Sequence, residues 1–187
     1  MVYFTADNHF GHANIIRLCG RPFRDVREMD ERMISAWNER VQPSDDVYVV
    51  GDLIFRAADP ASYLERLRGR KHLIVGNHDR DWIRKTGTDG YFVSVSQMES
   101  LSADGKKLVL CHYPMMEWDG YCGGTVHVFG HIHNNTDQPF FPLIADSPAM
   151  LNAGADVNHF APVTLRELEE NNRVFKELWK ERRKENA

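Results

Sequence analysis

Five short apolar runs in this chain each end in residues that bind metal ions or move protons. They are Asp7-Asn8-His9, Gly51-Asp52, Gly76-Asn77-His78-Asp79, His112, and Gly130-His131-Ile132-His133. Carboxylates, imidazoles and one amide make a mixed nitrogen and oxygen donor set without thiolate, which suits Mn, Fe, Zn or a similar divalent ion. In extended chain, residues i and i+2 point the same way with a rise of about 3.3 Å per residue. Asp7 with His9, and His131 with His133, then offer paired ligands roughly 6–7 Å apart along the backbone. That span serves two ions about 3.5–4 Å apart, the separation of two-metal hydrolytic sites. A glycine ahead of Asp52, Asn77 and His131 suits turns in which backbone must come close to a site. Any one cluster alone reads as a cap or a turn. Together they converge, because ligands of α/β sheets bind outside the carboxyl ends of the strands.

The elements that must position them are legible in outline. Val2–Ala6, Asp46–Asp52 and His72–Val75 are apolar runs too short for helices and read as buried strands. Between the first two, Val26, Met29, Met33, Ile34, Trp37 and Val41 recur on one face of a helix. Asp59-Pro60 caps a second helix that faces Tyr63, Leu64 and Leu67 inward. Strand, helix, strand, helix, strand is the pattern of a mostly parallel sheet covered by helices. The second half is richer in strands. Tyr91–Val95 alternates, Asp104-Gly105 signals a hairpin, and Lys107–Cys111 and Thr125–Phe129 run into His112 and Gly130. Residues 134–149, with Pro139, Pro142 and Pro148, are expected to be loop. Leu151–Val157 is expected to be a last strand. Thr164 with Glu167 forms a capping box for a charged helix running from about residue 164 to the C-terminus. One α/β domain over residues 1–187 is the economical organisation.

Composition narrows the function classes. A chain of 187 residues, 42% hydrophobic and 27% charged, has the make-up of a globular protein. Its net charge of −4 gives no strong electrostatic footprint for nucleic acid, which is disfavoured as a partner. Cys19, Cys111 and Cys122 are few, odd in number and without CxxC spacing, so a reducing compartment is expected. No run approaches the roughly 18 apolar residues that span a membrane, and the N-terminal residues lack a basic leader. A cytoplasmic protein is the expectation.

The ordered motifs DxH, GD, GNHD, H and GHxH, present from Asp7 to His133, resemble the signature of the calcineurin-like metallophosphoesterase family. The segment Leu151–Asp156 is compatible with it. The resemblance implies a two-sheet α/β/β/α sandwich and two divalent metal ions, Mn before Fe, Zn or Ni. One ion would be held by Asp7, His9, Asp52 and His133. The second would be held by Asp52, Asn77, His112 and His131, with Asp52 bridging. The implied reaction is hydrolysis of a phosphodiester or phosphomonoester, in a small-molecule phosphate ester, by a hydroxide shared between the ions. An alkoxide leaving group needs a proton, which His78 is placed to supply, and Asp79 would orient it. Arg21 and His12, on the rim after the first cluster, are expected to contact substrate, since a guanidinium matches phosphate geometry. Two alternatives stand beside this: a nuclease drawing on Arg21, Arg24 and Arg27, and a non-catalytic protein-binding scaffold using the Met115, Met116, Trp118 and Tyr121 surface.

Overall fold

In the computed structural model, which describes residues 1–185, two four-stranded sheets pack face to face between helices. The first sheet is parallel throughout, in the order β1 (Val2–Thr5), β2 (Asp46–Val49), β3 (Arg70–Ile74) and β4 (Phe92–Ser96). Between successive strands the chain crosses through α1 (Ala13–Cys19) and α2 (Val26–Arg40), then α3 (Ala61–Leu64), then α4 (Asp79–Thr86). The second sheet is mixed. β5 (Met98–Ala103) pairs antiparallel with β6 (Lys106–Cys111), and β7 (Val126–Phe129) and β8 (Met150–Asn152) follow in parallel. α5 (Phe141–Asp146) and α6 (Leu165–Glu185) cover its outer face.

Strand alternation generates the layers. On β1 and β2, Tyr3, Val47 and Val49 point to the helices and join Met29, Met33 and Trp37 in one core. Phe4, Tyr48 and Val50 point the other way, to Leu108, Leu110, Val126 and Val128 of the second sheet. On that sheet the alternate residues Val109, Phe129 and Met150 face Phe141, Ile144, Phe175 and Trp179 of α5 and α6. A period of two on both sheets therefore makes three apolar interfaces, which is the α/β/β/α sandwich of the calcineurin-like metallophosphoesterases.

Local signals agree with most of the expected elements. Asp25 caps α2 by accepting from the Glu28 amide at 2.8 Å. Asp104 and Gly105 both have positive φ, 48° and 77°, as a two-residue hairpin with the right twist needs. The Thr164 and Glu167 capping box forms through the Thr164 amide and hydroxyl, at 2.8 and 2.9 Å from Glu167 Oε2. The last two residues of the helix expected there lie outside the described residues. Other expectations need correction. Residues 134–149 are not all loop, since α5 lies within them; Pro142 falls in its first turn, where a missing amide hydrogen costs nothing. Tyr91–Val95 does not belong with the hairpin: β4 joins the first sheet, and the hairpin arm is β5. The expected strand 151–157 ends at Asn152 and gives way to turns.

Candidate metal centre

The ends of β1, β2, β3, β6 and β7 meet at one edge, where backbone bonds align the loops that follow them. Asp7 and His9 amides donate to Gly51 and Asp52 carbonyls at 2.9 and 3.0 Å, and the Gly130 amide donates to the His112 carbonyl at 2.9 Å. The two sheets join here, with the Ala155 amide on the Ala6 carbonyl at 2.8 Å.

The side chains do not reach this edge from extended chain, as the i, i+2 argument assumed. Asp7, His9, Asp52, His131 and His133 have left-handed backbone, with φ of 53°, 53°, 56°, 73° and 51°. Such a conformation costs an L-residue about 1–2 kcal/mol. Strain of this kind gathers at functional sites, where the surrounding structure over-determines it. Two glycines make the crowding possible. A Cβ on Gly51 would overlap the His112 ring, and one on Gly76 would overlap the Asp52 carboxylate.

Seven donor residues come together. Asp7, His9 and His133 offer atoms within 4.8 Å of one another, as do Asp7, Asp52 and His112. Asp52 lies between the histidines, its Oδ2 3.7 Å from His9 Nε2 and 3.4 Å from His112 Nε2. The Asn77 amide oxygen is 3.1 Å from both His112 Nε2 and His131 Nδ1. The Asp7 carboxylate accepts from the His131 amide at 2.8 Å.

The electrostatics of this cluster fit a cation. His9 is buried and neither ring nitrogen has a hydrogen-bond partner; burial holds its pKa down at about 2, against the pull of Asp52. A neutral imidazole with a free lone pair among carboxylates is a metal ligand in waiting. His112 donates from Nδ1 to the Val50 carbonyl at 2.9 Å, so its Nε2 faces the Asp52 carboxylate and the Asn77 oxygen. A lone pair facing two acceptors is repelled unless a proton or a metal lies between them. Burial opposes protonation of His112, but the bond to Asp52 and the charge of Asp7 outweigh it, raising the pKa to about 9. The same balance lowers Asp52 to about 2 against its own desolvation. Burial drives Asp7 up to about 6. The residues present therefore suit a pair of divalent ions.

The other expected residues separate. His78 and His12 both line a cavity of about 800 Å³ that opens over His9, Asp52, Asn77 and His131. The His78 ring lies 5.5 Å from that of His9, and its amide donates to Asp52 Oδ1 at 2.8 Å. His12 stacks on Phe55 at 3.8 Å. Asp79 does not orient His78. Its carboxylate is fully buried and accepts from the amides of Asp52, Leu53 and Gly76 and from the Trp82 indole, at 2.7–2.9 Å. It anchors the turns carrying Asp52 and Asn77. Arg21 is likewise displaced from the substrate-facing rim. It is buried beneath the site, on Asp156 and on the carbonyls of Asp7 and Asn8, which also removes it from any basic track for nucleic acid.

Sequence reasoning marked Leu151–Asp156 as compatible with the family pattern but gave it no role; it supports His133. Asp156 accepts from His133 Nδ1 at 2.8 Å. Asn152 donates to the His133 carbonyl at 2.8 Å and accepts from the Gly154 amide at 2.8 Å, while Asn158 and Asn172 brace its own carbonyl. The alternation Asn152-x-Gly154-x-Asp156 was the available signal. No helix among the described residues is long and apolar enough to cross a membrane.

No family model matches the chain. A crystal structure of a protein of unknown function, AQ665 from Aquifex aeolicus, superposes with a TM-score of 0.70 at 24% identity, over 91% of this chain and 98% of that one, and shares its fold. The Gene 66 protein of Mycobacterium phage D29 is 35% identical over 85 residues, 42% of this chain and 40% of its own length. The uncharacterized protein MJ1445 of Methanocaldococcus jannaschii is 34% identical over 169 residues, 88% of this chain and 86% of that protein. At that identity, over nearly the whole of both chains, this protein belongs to the family of MJ1445.

Proposed function

We propose that the protein is a metal-dependent phosphoester hydrolase. The observation that carries this reading is the pair of partnerless ring nitrogens on buried His9, set among carboxylates beneath an open cavity. Asp7, His9, Asp52 and His133 would hold one divalent ion, and Asp52, Asn77, His112 and His131 the other, with Asp52 shared. Mn is the first candidate, with Fe, Zn and Ni compatible with the same donors. Two such ions supply Lewis acidity on phosphoryl oxygens and bring the ionisation of water down to neutral pH.

The chain's own groups do the rest. Asp52, fixed through the His78 amide and through Asp79 behind its own amide, keeps the two ligand sets in register. His78, exposed on the cavity wall, donates a proton to the departing ester oxygen. His12 borders the same cavity and contacts the substrate, a small-molecule phosphate ester. The free thiols Cys19, Cys111 and Cys122 suit a cytoplasmic protein.

Metal analysis, together with hydrolysis of para-nitrophenyl phosphate and its bis-ester in Mn²⁺, tests this reading. Wild type should hold two ions and turn over one of the esters, and Asp52→Ala should lose both properties. His78→Ala should keep its ions while kcat falls about 10²–10⁴-fold, the usual contribution of a positioned acid. A protein that binds no divalent ion, or a His78→Ala variant with unchanged kcat, would refute the corresponding part.

A further inference from the structure

We propose that Asp156, gripped by Arg21, is the positioning carboxylate of this metal centre and decides which ring nitrogen of His133 faces the ions. The proposal rests on the metal-centre reading above and concerns residues outside its ligand set.

Asp156 lies four residues beyond β8, and its side chain is 1% exposed. One oxygen accepts from Arg21 Nε at 2.8 Å. The other accepts from Arg21 Nη2 at 3.0 Å and from His133 Nδ1 at 2.8 Å. The guanidinium also reaches the turn after β1, where Nη2 donates to the Asp7 carbonyl at 2.7 Å and Nη1 to the Asn8 carbonyl at 2.9 Å. One planar group thus ties the turn bearing Asp7 and His9 to the carboxylate behind His133, although Arg21 and Asp156 are 135 residues apart in the chain.

Burying an ion pair is a poor way to gain stability, since the desolvation of both charges rivals their attraction. Such a pair is better explained by what it orients. An imidazole that gives its Nδ1 hydrogen to a carboxylate has its lone pair on Nε2 and its ring plane fixed. A carboxylate behind a histidine ligand also raises its basicity towards a metal. Arg21 contributes a second effect. By donating to both oxygens of Asp156, it holds that carboxylate on His133 rather than on an ion. Lysine has no planar fork and could not hold two carbonyls and a carboxylate in one plane.

The direct test uses wild-type protein labelled with ¹⁵N-histidine and loaded with Zn²⁺. Long-range ¹H–¹⁵N spectra should show His133 protonated at Nδ1 and zinc-bound at Nε2. Zinc on Nδ1 of His133 overturns the proposal while leaving the metal centre standing, and zinc on no histidine overturns both. Calorimetric titration with Zn²⁺ gives a second readout. Asp156→Asn should weaken one of the two sites about 10–100-fold and leave the other near wild type. Arg21→Lys should weaken the same site. Wild-type affinity at both sites in Asp156→Asn is the refuting result. Should that variant fail to fold, the spectra of the wild type decide alone.

Discussion

His9 offers a test in which the sign of a stability change inverts with the metal. Both its ring nitrogens are buried without partners, and an unsatisfied buried polar atom costs about 1–3 kcal/mol. Replacing His9 by leucine, an apolar side chain of similar size, removes two such atoms. Against this stand the ring stack with His133, at 5.0 Å between centroids, the repacking of a branched side chain, and the left-handed backbone of His9, which leucine tolerates less well than histidine, together on the order of 2–3 kcal/mol. From the middle of these ranges the variant in EDTA should be more stable than wild type by roughly 1–2 kcal/mol. For a chain of this length that is a rise in Tm of about 2–8 °C. Metal should reverse the order. An ion that binds only the folded protein stabilises it by about 2.7 kcal/mol at one hundred times its Kd, and the variant has lost a ligand. Thermal melts of both proteins, with EDTA and across a Mn²⁺ series, supply the comparison. A variant less stable than wild type in EDTA would show that His9 is satisfied without a cation, and the reasoning that makes it a ligand would fail.

Gly76→Ala places a methyl group into the Asp52 carboxylate and 2.7 Å from the Asp52 amide nitrogen. It should lower stability by about 1–3 kcal/mol and weaken Mn²⁺ binding, read by melts and calorimetry; wild-type behaviour in both would mean the turn has slack. Lys176 gives a pH signature remote from the site. Burial, with Lys180 adding to it, lowers its pKa to about 8, while its ammonium donates to the Ser147 and Met150 carbonyls. Below pH 8 the folded and unfolded states are both protonated and the burial cost is present in full. Between about pH 8 and 10.5 the folded state releases its proton first, so stability rises with pH, by at most about 3 kcal/mol. Urea unfolding of wild type and Lys176→Met at pH 7, 9 and 10 should show that added slope in wild type alone, and parallel profiles would refute it.

The convergence of the candidate donors was legible because each closes an apolar run, and the ends of parallel strands meet. Its geometry was not. The reading of Asp7 and His9 as neighbours on extended chain failed because nothing in a local sequence distinguishes a strand that continues from one that turns left-handed after its last pairing bond. Asp79 sat beside His78 in sequence, so it was assigned to that ring; in three dimensions the three amides and the indole around it were better donors. Arg21 had the chemistry for phosphate, but its partner is 135 residues away, and burial at such a distance has no local signal. The helix α5 hid behind its prolines, which mark loops except in a first turn.

The left-handed backbone of five candidate ligands bears on how relatives of this chain are to be compared. Aspartate, asparagine, histidine and glycine are the residues that tolerate such backbone best, and three of these four types also bind metals. At Asp7, His9, Asp52, His131 and His133 the turn alone restricts substitution to nearly the residue types a metal would choose. Retention of a similar residue there is weak testimony about catalysis in any homologue. Asn77 and His112 have no such backbone, so the turn does not restrict them, and the Val50 carbonyl occupies only Nδ1 of His112. In an alignment, those two columns say more about a metal centre than the five left-handed ones.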